Sequence, residues 1–492
     1  MAFQDALRIF DASLQILEGE PISEPHAHLD ILISRASAMY YSGDRERARA
    51  SILDAALWSR GMGSAVLLAK CGLAMAPDFL SIEVGAYDSD QEMLLREALE
   101  GLPLSEQALR AKVLARLSQI SKWRWTDPDE PSSLASRSHE LAISSGDPDA
   151  LVAALSACAD AAQGPDRADE RIKYILELQE TTLARSDTYS FLLQQTRLIA
   201  TLLERGEIRR LTLENERYRR LADKIGLPQY RWYPVSTDSM LMCLSGNLVA
   251  AEQLANRYRE IAGASPDDNL IQTFACQAVL RGIDQDKSND VRGLVETFAS
   301  EKPTVMSWAA GLIWLQWDSG LHDAARENLR QFTNSDIQRL FREPGGTIGI
   351  ASLAEACAYL GDRKQARHLL DLIAPVWAKF STAGYGVAYF GSLARYACLL
   401  AIALRENGQA RKLASLAVTQ ERSTGSRSWL TYAILDRARA NCESLQLKTS
   451  VPEVSSDLIS RLSELGLMRA LRLAREASRP QIADSTSATC RE

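Results

Sequence analysis

Apolar residues recur at helical spacing along most of the 492-residue chain. In the segment LVAAEQLANRYREIA, positions i, i+3, i+4, i+7 and i+11 hold Ala251, Leu254, Ala255, Tyr258 and Ala262. This spacing places a continuous apolar stripe on one face of an α-helix. No segment combines sustained alternation of apolar and polar residues with the β-branched content of a strand. The pattern therefore predicts an all-α chain without a sheet.

A recurring turn separates the predicted helices. Each turn has an apolar helix end, a glycine beside a polar residue, and a new helix with an alanine or a hydrophobic residue four to five positions later. Glycine takes up the left-handed conformation that ends a helix, and a neighbouring Asp or Asn can cap the next helix. These turn glycines lie about 40 residues apart, or a multiple of that length. They are Gly43, Gly206, Gly246, Gly320, Gly361 and Gly408.

A single helix pair of this length cannot bury its apolar face, so neighbouring pairs must stack. The sequence therefore predicts a tetratricopeptide-like α-solenoid, a right-handed superhelix of antiparallel helix pairs with a concave inner surface. We expect the solenoid over residues 1–445 with a sub-boundary near 123–133, a linker and terminal helix over 446–479, and a disordered tail over 480–492. Breaks in the pattern predict loops over residues 76–90, 123–133, 163–169, 226–239 and 342–349.

Charge and cysteine usage narrow the function classes. Lys and Arg number 56 against 63 Asp and Glu, a net charge of −7, so the chain offers no positive field to nucleic acid. Eight cysteines are scattered singly, as expected for buried side chains in a reducing compartment. No uncharged run approaches the roughly 20 apolar residues of a membrane span, and the N-terminal segment is amphipathic, unlike a signal peptide. We therefore expect a cytoplasmic protein that binds neither nucleic acid nor membrane.

Four segments carry a resemblance to a known family: ALRAKVLARLSQISKWR, YRWYPVSTDSMLMCLSGNLVAAEQLANRYREIAG, SLAEACAYLGDRKQARHLLDLIAPVW and LSELGLMRALRLAREA. They resemble the C-terminal helical-repeat region of large bacterial ATP-dependent regulators. These are the LuxR-type and related signal-transduction ATPases and the ATPase-linked nucleotide cyclases. The resemblance covers residues 2–478 and implies a repeat fold with a sensor or scaffold role.

The chain departs from that family in the parts that carry its other functions. It has no G-x-x-x-x-G-K-[ST] phosphate loop, and no basic helix-turn-helix follows the last repeat-like helix. We therefore expect neither ATP hydrolysis nor binding to duplex DNA, and no cofactor.

Candidate catalytic and metal-binding residues are few. His26 and His28 would point about 200° apart on a helix and could not share a metal ion. Asp88 and Asp90 are interpreted as caps of a helix that begins near Gln91, in preference to a metal or acid–base pair. The glycines of PGGTIG lack the preceding strand and following lysine of a phosphate-binding loop. The sequence thus predicts no catalytic and no metal site.

Two clusters combine aromatic and basic side chains at predicted loop–helix junctions. They comprise Trp123, Arg124 and Trp125, and Tyr230, Arg231, Trp232 and Tyr233. Such groups suit a peptide or an aromatic ligand through cation–π and hydrogen-bonding contacts. Pro234 is expected to hold residue 233 extended and so to fix the second cluster. The alternative is that these aromatics pack one helix pair against the next.

Two function classes fit the sequence. The preferred prediction is a non-catalytic scaffold whose concave surface binds a protein, a peptide or a small-molecule effector, and a homodimer stays an open alternative. The other class is an enzyme of specialised metabolism with its active site in the groove. A pocket with two or more desolvated carboxylates or histidines would favour the enzyme.

Overall fold

A computed structural model describes residues 2–18, 25–42, 44–75, 84–85, 87–263, 268–445 and 454–478. In these residues it has 25 α-helices, two short strands, and 3-10 turns at Pro165–Arg167 and Ala374–Val376. The chain divides into two units. Unit 1 comprises residues 1–163 and 169–194, and unit 2 comprises residues 164–168 and 195–492. The predicted all-α helical-repeat fold is confirmed.

Unit 1 is a two-layer stack of helices. In chain order they are α1 (Ala2–Glu18), α2 (Pro25–Tyr41), α3 (Arg45–Gly61), α4 (Ala65–Ala74), α5 (Ser89–Gly101), α6 (Gln107–Arg124), α7 (Glu130–Ser145) and α8 (Pro148–Ala161). Helices α2, α4, α6 and α8 pack side by side, and α3, α5 and α7 each pack against the two helices that flank them in sequence. Both α9 (Ala168–Ala184) and α10 (Thr188–Glu204) include residues of the two units.

Burial explains the two layers of unit 1. Helix α3 buries one stripe that includes Ala48, Ile52 and Ala55, at helical spacing, and exposes its other face. Helix α4 is buried over most of its surface, from Leu67 to Leu73, because it has helices on several sides. A helix that is apolar all round belongs in an inner layer, and an amphipathic helix belongs outside it.

Unit 2 repeats this alternation. Its helices are α11 (Ile208–Ile225), α12 (Pro228–Ser245), α13 (Leu248–Ala262), α14 (Asp268–Asp284), α15 (Ser288–Glu301), α16 (Met306–Asp318), α17 (His322–Gln331), α18 (Asn334–Arg342), α19 (Thr347–Leu360), α20 (Arg363–Ile373), α21 (Leu393–Leu404), α22 (Asn407–Thr424), α23 (Arg427–Asn441), α24 (Ser456–Glu464) and α25 (Met468–Ser478). Helix α12 also contacts α23, and α14 contacts α25. In an open solenoid each repeat meets only its neighbours, so unit 2 instead closes on itself.

A β-hairpin lies inside unit 2, and the expectation of a chain without a sheet was wrong at this point. Antiparallel strands β1 (Phe380–Ala383) and β2 (Ala388–Ser392) are joined by a turn with Gly384 and Gly386 at positive φ. Strand β2 packs against α12, α14, α19, α21, α22 and α23. Every residue of both strands is buried, so the alternation of apolar and polar residues that marks a half-exposed strand is missing.

The predicted loop over residues 226–239 is also wrong, because α12 begins at Pro228 and runs through it. Pro228 occupies the first turn, where its missing N–H costs little. Pro234 lies inside the helix, so residue 233 is helical and not extended. The Pro234 carbonyl accepts a hydrogen bond from Asn215 Nδ2 at 3.0 Å. Burial of the aromatic residues around Pro234 outweighs the tendency of a proline to keep the preceding residue out of a helix.

The turn glycines behave as predicted at four positions. Gly206, Gly246, Gly320 and Gly361 have φ values of +72°, +84°, +80° and +81°. Gly408 does not end a helix, because it lies within α22. At that turn Arg405 ends α21 in the left-handed conformation, with φ of +65°. Gly43 lies outside the described residues.

Several predicted boundaries can be placed. The turn near 123–133 lies within unit 1 and joins α6 to α7. The terminal helix corresponds to α24 and α25, whereas residues 446–453, the tail over 480–492 and most of the loop over 76–90 lie outside the described residues. Among the helices that the structure describes, none is both long and apolar enough to cross a membrane.

The PGGTIG segment seats the hairpin of unit 2. Thr347 Oγ1 accepts a hydrogen bond from the Thr382 backbone N–H at 2.9 Å. Gly345 has φ of +65°, and a Cβ built there would lie 2.1 Å from the backbone nitrogen of Gly384. Gly345 thus allows the PGGTIG backbone to approach the backbone of the hairpin turn closely, which gives this segment a packing role.

The variant Gly345→Ala is therefore expected to lose about 3 kcal/mol or more of unfolding free energy, because the hairpin backbone would have to move. Gly361→Ala is the matched control, since its φ is +81° and nothing lies within 4 Å of the added Cβ. It should lose about 1 kcal/mol, the cost of the left-handed conformation alone. Urea denaturation of both variants measures the difference, and equal losses would contradict this role.

Candidate functional site

The aromatic–basic cluster at residues 230–233 lies on α12 of unit 2. Tyr230, Trp232 and Tyr233 are buried there. Tyr233 Oη donates a hydrogen bond to the carbonyl oxygen of Tyr385 in the hairpin turn, at 2.7 Å, and burial raises the pKa of the Tyr233 phenol. Arg231 is exposed and pairs with an aspartate of α11. This arrangement favours the packing alternative for the cluster.

The cluster at residues 123–125 lies at the end of α6 in unit 1. Trp123 is buried, and Trp125 ends the helix with φ of +53°. Arg124 reaches α7, where its Nη2 donates to Glu130 Oε2 at 2.6 Å. The structure therefore places the two clusters in different units and does not assemble them into one site. Trp123 also lines a cavity of unit 1.

That cavity, which we call the unit 1 groove, has a volume of about 460 Å³. It is bounded by residues of α2, α3, α5 and α6, with contributions from the end of α4 and from α8. Its charged lining residues are Arg45, Arg49, Asp88, Arg116, Lys122 and Asp160. Small-molecule sites in proteins commonly enclose about 300–1,000 Å³, so the groove has room for such a ligand.

One wall of the groove is fixed by the start of α5. Asp88 caps this helix by accepting hydrogen bonds from the backbone N–H groups of Asp90 and Gln91, which confirms the capping interpretation for Asp88, whereas Asp90 lies inside the first turn of α5. Arg49 of α3 forms ion pairs with the carboxylates of Asp88 and Asp90. Burial opposes ionisation of Asp88, but the hydrogen bonds from Arg49 and the α5 backbone hold the pKa of its carboxyl below the usual range.

A second wall is formed by α6. Arg116, Gln119 and Trp123 follow one another at i, i+3 and i+7, so helical geometry places them on one face. Arg116 donates to Gln91 Oε1 through Nε and Nη2, at 3.1 and 3.0 Å, and to Gln119 Oε1 through Nη1, at 3.4 Å. Gln119 Nε2 donates in turn to Asp160 Oδ2 at 3.0 Å.

Sequence reasoning missed this set of polar residues. Its members come from α5, α6 and α8, which are far apart along the chain and meet only when the helices stack. The local signal is weak, because α6 also carries other polar residues such as Arg110 and Lys112, and Arg116, Gln119 and Lys122 do not stand out among them in the sequence.

A different polar cluster, the buried ionic network, lies in the interior of unit 2. Arg395 of α21 is 2% exposed and forms a bidentate pair with Glu355 of α19, at 2.9 and 3.2 Å. Its Nε lies 2.7 Å from Asp436 Oδ2 of α23, in an orientation unsuited to a hydrogen bond, so this attraction is Coulombic. The guanidinium also lies 5.7 and 5.3 Å from the ring centroids of Trp429 and Tyr432.

The terminal helix α25 joins the network through Arg469. Its Nη2 lies 2.9 Å from Asp318 Oδ1 of α16 and 3.5 Å from Glu355 Oε1. Burial opposes ionisation of Glu355, yet Arg395 and Arg469 lower the pKa of its carboxyl to about 2. The network therefore holds α16, α19, α21, α23 and α25 together through ionic contacts.

Three other buried carboxyls of unit 2 have raised pKa values. Burial raises the pKa of Asp284, of Glu343 and of Glu421 to about 7. Tyr432 Oη donates to Asp284 at 3.5 Å, and Glu421 accepts from Tyr389 Oη at 2.7 Å and from the Ser392 backbone N–H at 2.5 Å. Asp284 and Tyr389 line a cavity of about 20 Å³. This volume holds about one water molecule and is too small for an organic substrate.

The described residues contain no group of three or more His, Cys, Asp or Glu that could hold a metal ion. Seven cysteines in the described part of the chain carry free thiols. Burial raises the pKa of Cys243 and of Cys276 to about 12. Such thiols stay protonated at neutral pH and are poor nucleophiles.

We expect Trp232→Ala to lower the free energy of unfolding by about 3 to 5 kcal/mol, because it removes a buried aromatic. The ring packs 5.8 Å from that of Tyr233 and 6.2 Å from that of Tyr258. Arg231→Ala is the exposed control and should change stability by less than about 1 kcal/mol. Urea denaturation tests both. Unchanged stability of the Trp232 variant together with weakened ligand binding would support the binding interpretation instead.

The Glu421→Gln variant should flatten the dependence of stability on pH. The pKa of Glu421 is raised by folding, so its contribution is fully present below about pH 4.5 and is lost as the pH rises through about 7. Gln keeps both hydrogen bonds because the Tyr389 hydroxyl can reverse its direction. Between pH 5 and pH 8 we expect the wild-type protein to lose on the order of 2 kcal/mol more than the variant.

Chemical denaturation at the two pH values measures that difference. The exposed Glu252→Gln is the control and should keep the wild-type slope. A residual slope is expected in the Glu421 variant, because burial also raises the pKa of Asp284 and Glu343 to about 7. Identical slopes for the Glu421 variant and the wild type would refute the assignment.

No protein-family model matches the chain, and no curated protein matches it. Among solved structures, the chain is similar to a circular tandem repeat protein described as having a novel repeat topology and enhanced subunit contact surfaces. The two share 13% sequence identity over 97% of this chain and 96% of that chain, with a TM-score of 0.13. A TM-score of this size reflects little spatial overlap, so the helical-repeat assignment rests on the packing of the helices themselves.

Proposed function

We propose that this chain is a non-catalytic binding scaffold whose ligand site is the unit 1 groove. The observation that carries the proposal is a cavity of about 460 Å³ lined by basic, amide and aromatic side chains from several stacked helices. Convergent polar groups in a cavity of this size are typical of small-ligand sites. The ligand is a small-molecule effector or a short peptide that enters the groove.

The resemblance to the repeat region of bacterial LuxR-type and related signal-transduction regulators supports a sensor role. In this proposal the groove binds the ligand, and the stacked helices of unit 1 present the occupied state to a protein partner. A repeat stack suits this task because each helix pair contacts its neighbours over a large apolar surface. In this proposal the protein acts in the cytoplasm of a bacterium, and it neither hydrolyses ATP nor binds nucleic acid.

The enzyme alternative has one observation in its favour. Asp284 and Glu421 are desolvated carboxyls with pKa values of about 7, as acid–base catalysts require. The cavity beside Asp284 measures about 20 Å³, however, which is too small for a substrate, and Glu421 is completely buried. We therefore favour the binding scaffold.

The Ser89→Trp variant tests the location of the site. Ser89 is exposed and lines the groove, so an indole at this position should obstruct it. Ser133→Trp is the matched control, an exposed serine on α7 that does not belong to the groove lining. The probes are glutamate, succinate, pyrophosphate, adenosine, spermidine and tri-alanine, and the first measurement is the melting temperature of the full chain with each.

We expect at least one probe to raise the melting temperature of the wild-type protein. Calorimetric titration of that probe should give an affinity at least about tenfold weaker for Ser89→Trp and unchanged for Ser133→Trp. If both tryptophan variants bind the probe as the wild type does, the ligand site lies elsewhere. If no probe stabilises the protein, the proposed function loses its support.

A further inference from the structure

The outward face of α11 in unit 2 carries a row of basic side chains. The residues that α11 buries follow one another at helical spacing and define its inward face; they are Leu211, Asn215, Tyr218 and Ala222. On the opposite face the helix exposes residues at positions i, i+4, i+11 and i+15: Arg209, Leu213, Arg220 and Lys224. Helical geometry keeps these four side chains in one line. We call them the α11 basic stripe.

The acidic residues of α11 do not neutralise this stripe. Glu214 accepts a hydrogen bond from Gln195 Nε2, and Asp223 lies 3.2 Å from the Nε of Arg231. Within the described part of the chain, the three cations of the stripe form no ion pair with a carboxylate. Glu216 is exposed on the same side of the helix and sets one negative charge against these three positive ones. The stripe therefore keeps an excess of positive charge.

The stability of α11 does not explain this arrangement. The positive end of the helix dipole lies at the first turn, where a cation such as Arg209 is unfavourable. Arg220 and Lys224 are four residues apart, and like charges at this spacing repel each other. Lys224 gains from the dipole because it lies in the last turn. A carboxylate at position 209 would serve the helix better, so the row of cations indicates a role outside the fold.

The exposed hydrophobic residue of the stripe favours a protein partner over a lipid surface. A helix that binds a bilayer inserts a broad apolar face, whereas Leu211 and Tyr218 of α11 are buried within unit 2. Leu213 is 64% exposed and lies between Arg209 and Arg220 along the stripe. An apolar contact flanked by cations suits a protein segment that carries acidic side chains around an apolar one.

The charge of the whole chain adds direction to such a contact. Because the net charge is −7, an acidic partner is repelled by most of the surface and attracted by a local excess of positive charge. Complementary charges of this kind determine orientation and the rate of association more than affinity.

We propose that the α11 basic stripe docks an acidic segment of a partner protein. Carboxylates of the segment pair with Arg209, Arg220 and Lys224, and an apolar side chain of the segment contacts Leu213. At about 1.5 Å per residue the stripe extends over about 22 Å, so a helical segment meets it along about four turns. This inference does not depend on the unit 1 groove, because α11 belongs to unit 2.

The experiment measures the fluorescence anisotropy of a labelled peptide with the full chain. The peptide consists of four repeats of Glu-Glu-Leu-Glu, and the control peptide has glutamine in place of every glutamate. We expect saturable binding of the glutamate peptide, at least about tenfold tighter than that of the glutamine peptide. Its affinity should fall as the salt concentration rises, because exposed charges are screened.

A triple variant locates the contact. Replacing Arg209, Arg220 and Lys224 together by glutamine should weaken the glutamate peptide by at least about tenfold, whereas a single exposed ion pair contributes little. The control variant removes the same number of exposed cations from α7, α9 and α20: Arg137→Gln, Lys173→Gln and Lys364→Gln. Both variants change the net charge of the chain equally, so only a local contact distinguishes them. Circular dichroism and melting verify that each variant is folded.

The apolar contact has its own pair of variants. Leu213→Gln should weaken the glutamate peptide by about threefold or more, and Val249→Gln should not, although Val249 of α13 is 70% exposed. Unchanged affinity of the Leu213 variant contradicts the apolar part of the inference.

Two results overturn the docking of an acidic protein segment. The first is equal affinity of the triple variant and its control, or no binding of the glutamate peptide at millimolar concentration. The second is binding to phosphatidylserine vesicles that the triple variant abolishes, without binding of the glutamate peptide, which assigns the stripe to a membrane surface. Neither result bears on the unit 1 groove, which the Ser89→Trp variant tests separately.

Discussion

Arg395 lies in the interior of unit 2 with its guanidinium almost completely removed from water. Such burial costs several kcal/mol unless carboxylates with good geometry surround the charge. Glu355 and Asp436 provide them from α19 and α23, so these helices must meet α21 at this residue. Arg469 brings α25 to the same cluster through Asp318. Charge pairing therefore specifies which helices of unit 2 meet, and apolar packing alone would leave that choice open.

Unit 1 uses an arginine in a different setting. Arg116 donates to the amide oxygens of Gln91 and Gln119 on the wall of the unit 1 groove. In unit 2 the interior holds a buried β-hairpin and neutralised charges, whereas in unit 1 the stacked helices leave a groove of about 460 Å³. The same helical-repeat architecture thus produces a sealed interior in one unit and a cavity lined by polar and aromatic side chains in the other.

The local signals in the sequence were reliable where a helix ends at glycine. Gly246 and Gly361 adopt the left-handed conformation that the turn pattern predicts. The pattern failed where another residue takes that role, as Arg405 and Asp286 do, with φ values of +65° and +63°. A side chain in this conformation costs about 1 to 2 kcal/mol, and packing of the flanking helices offsets it. Local preference cannot reveal such turns because their stability comes from contacts elsewhere.

The sequence by itself determined the helices, most of their turns and the all-α repeat class, because helical periodicity and capping act within a few residues. Only the tertiary structure decided which aromatic clusters are packed and which meets a cavity. Trp123 and Trp232 have similar neighbours in sequence, yet Trp232 packs against Tyr233 and Tyr258, and Trp123 lines the groove. The groove itself combines side chains from Ala36 to Asp160, and the hairpin strands are buried on both faces. Both depend on contacts between distant segments, which no local pattern encodes.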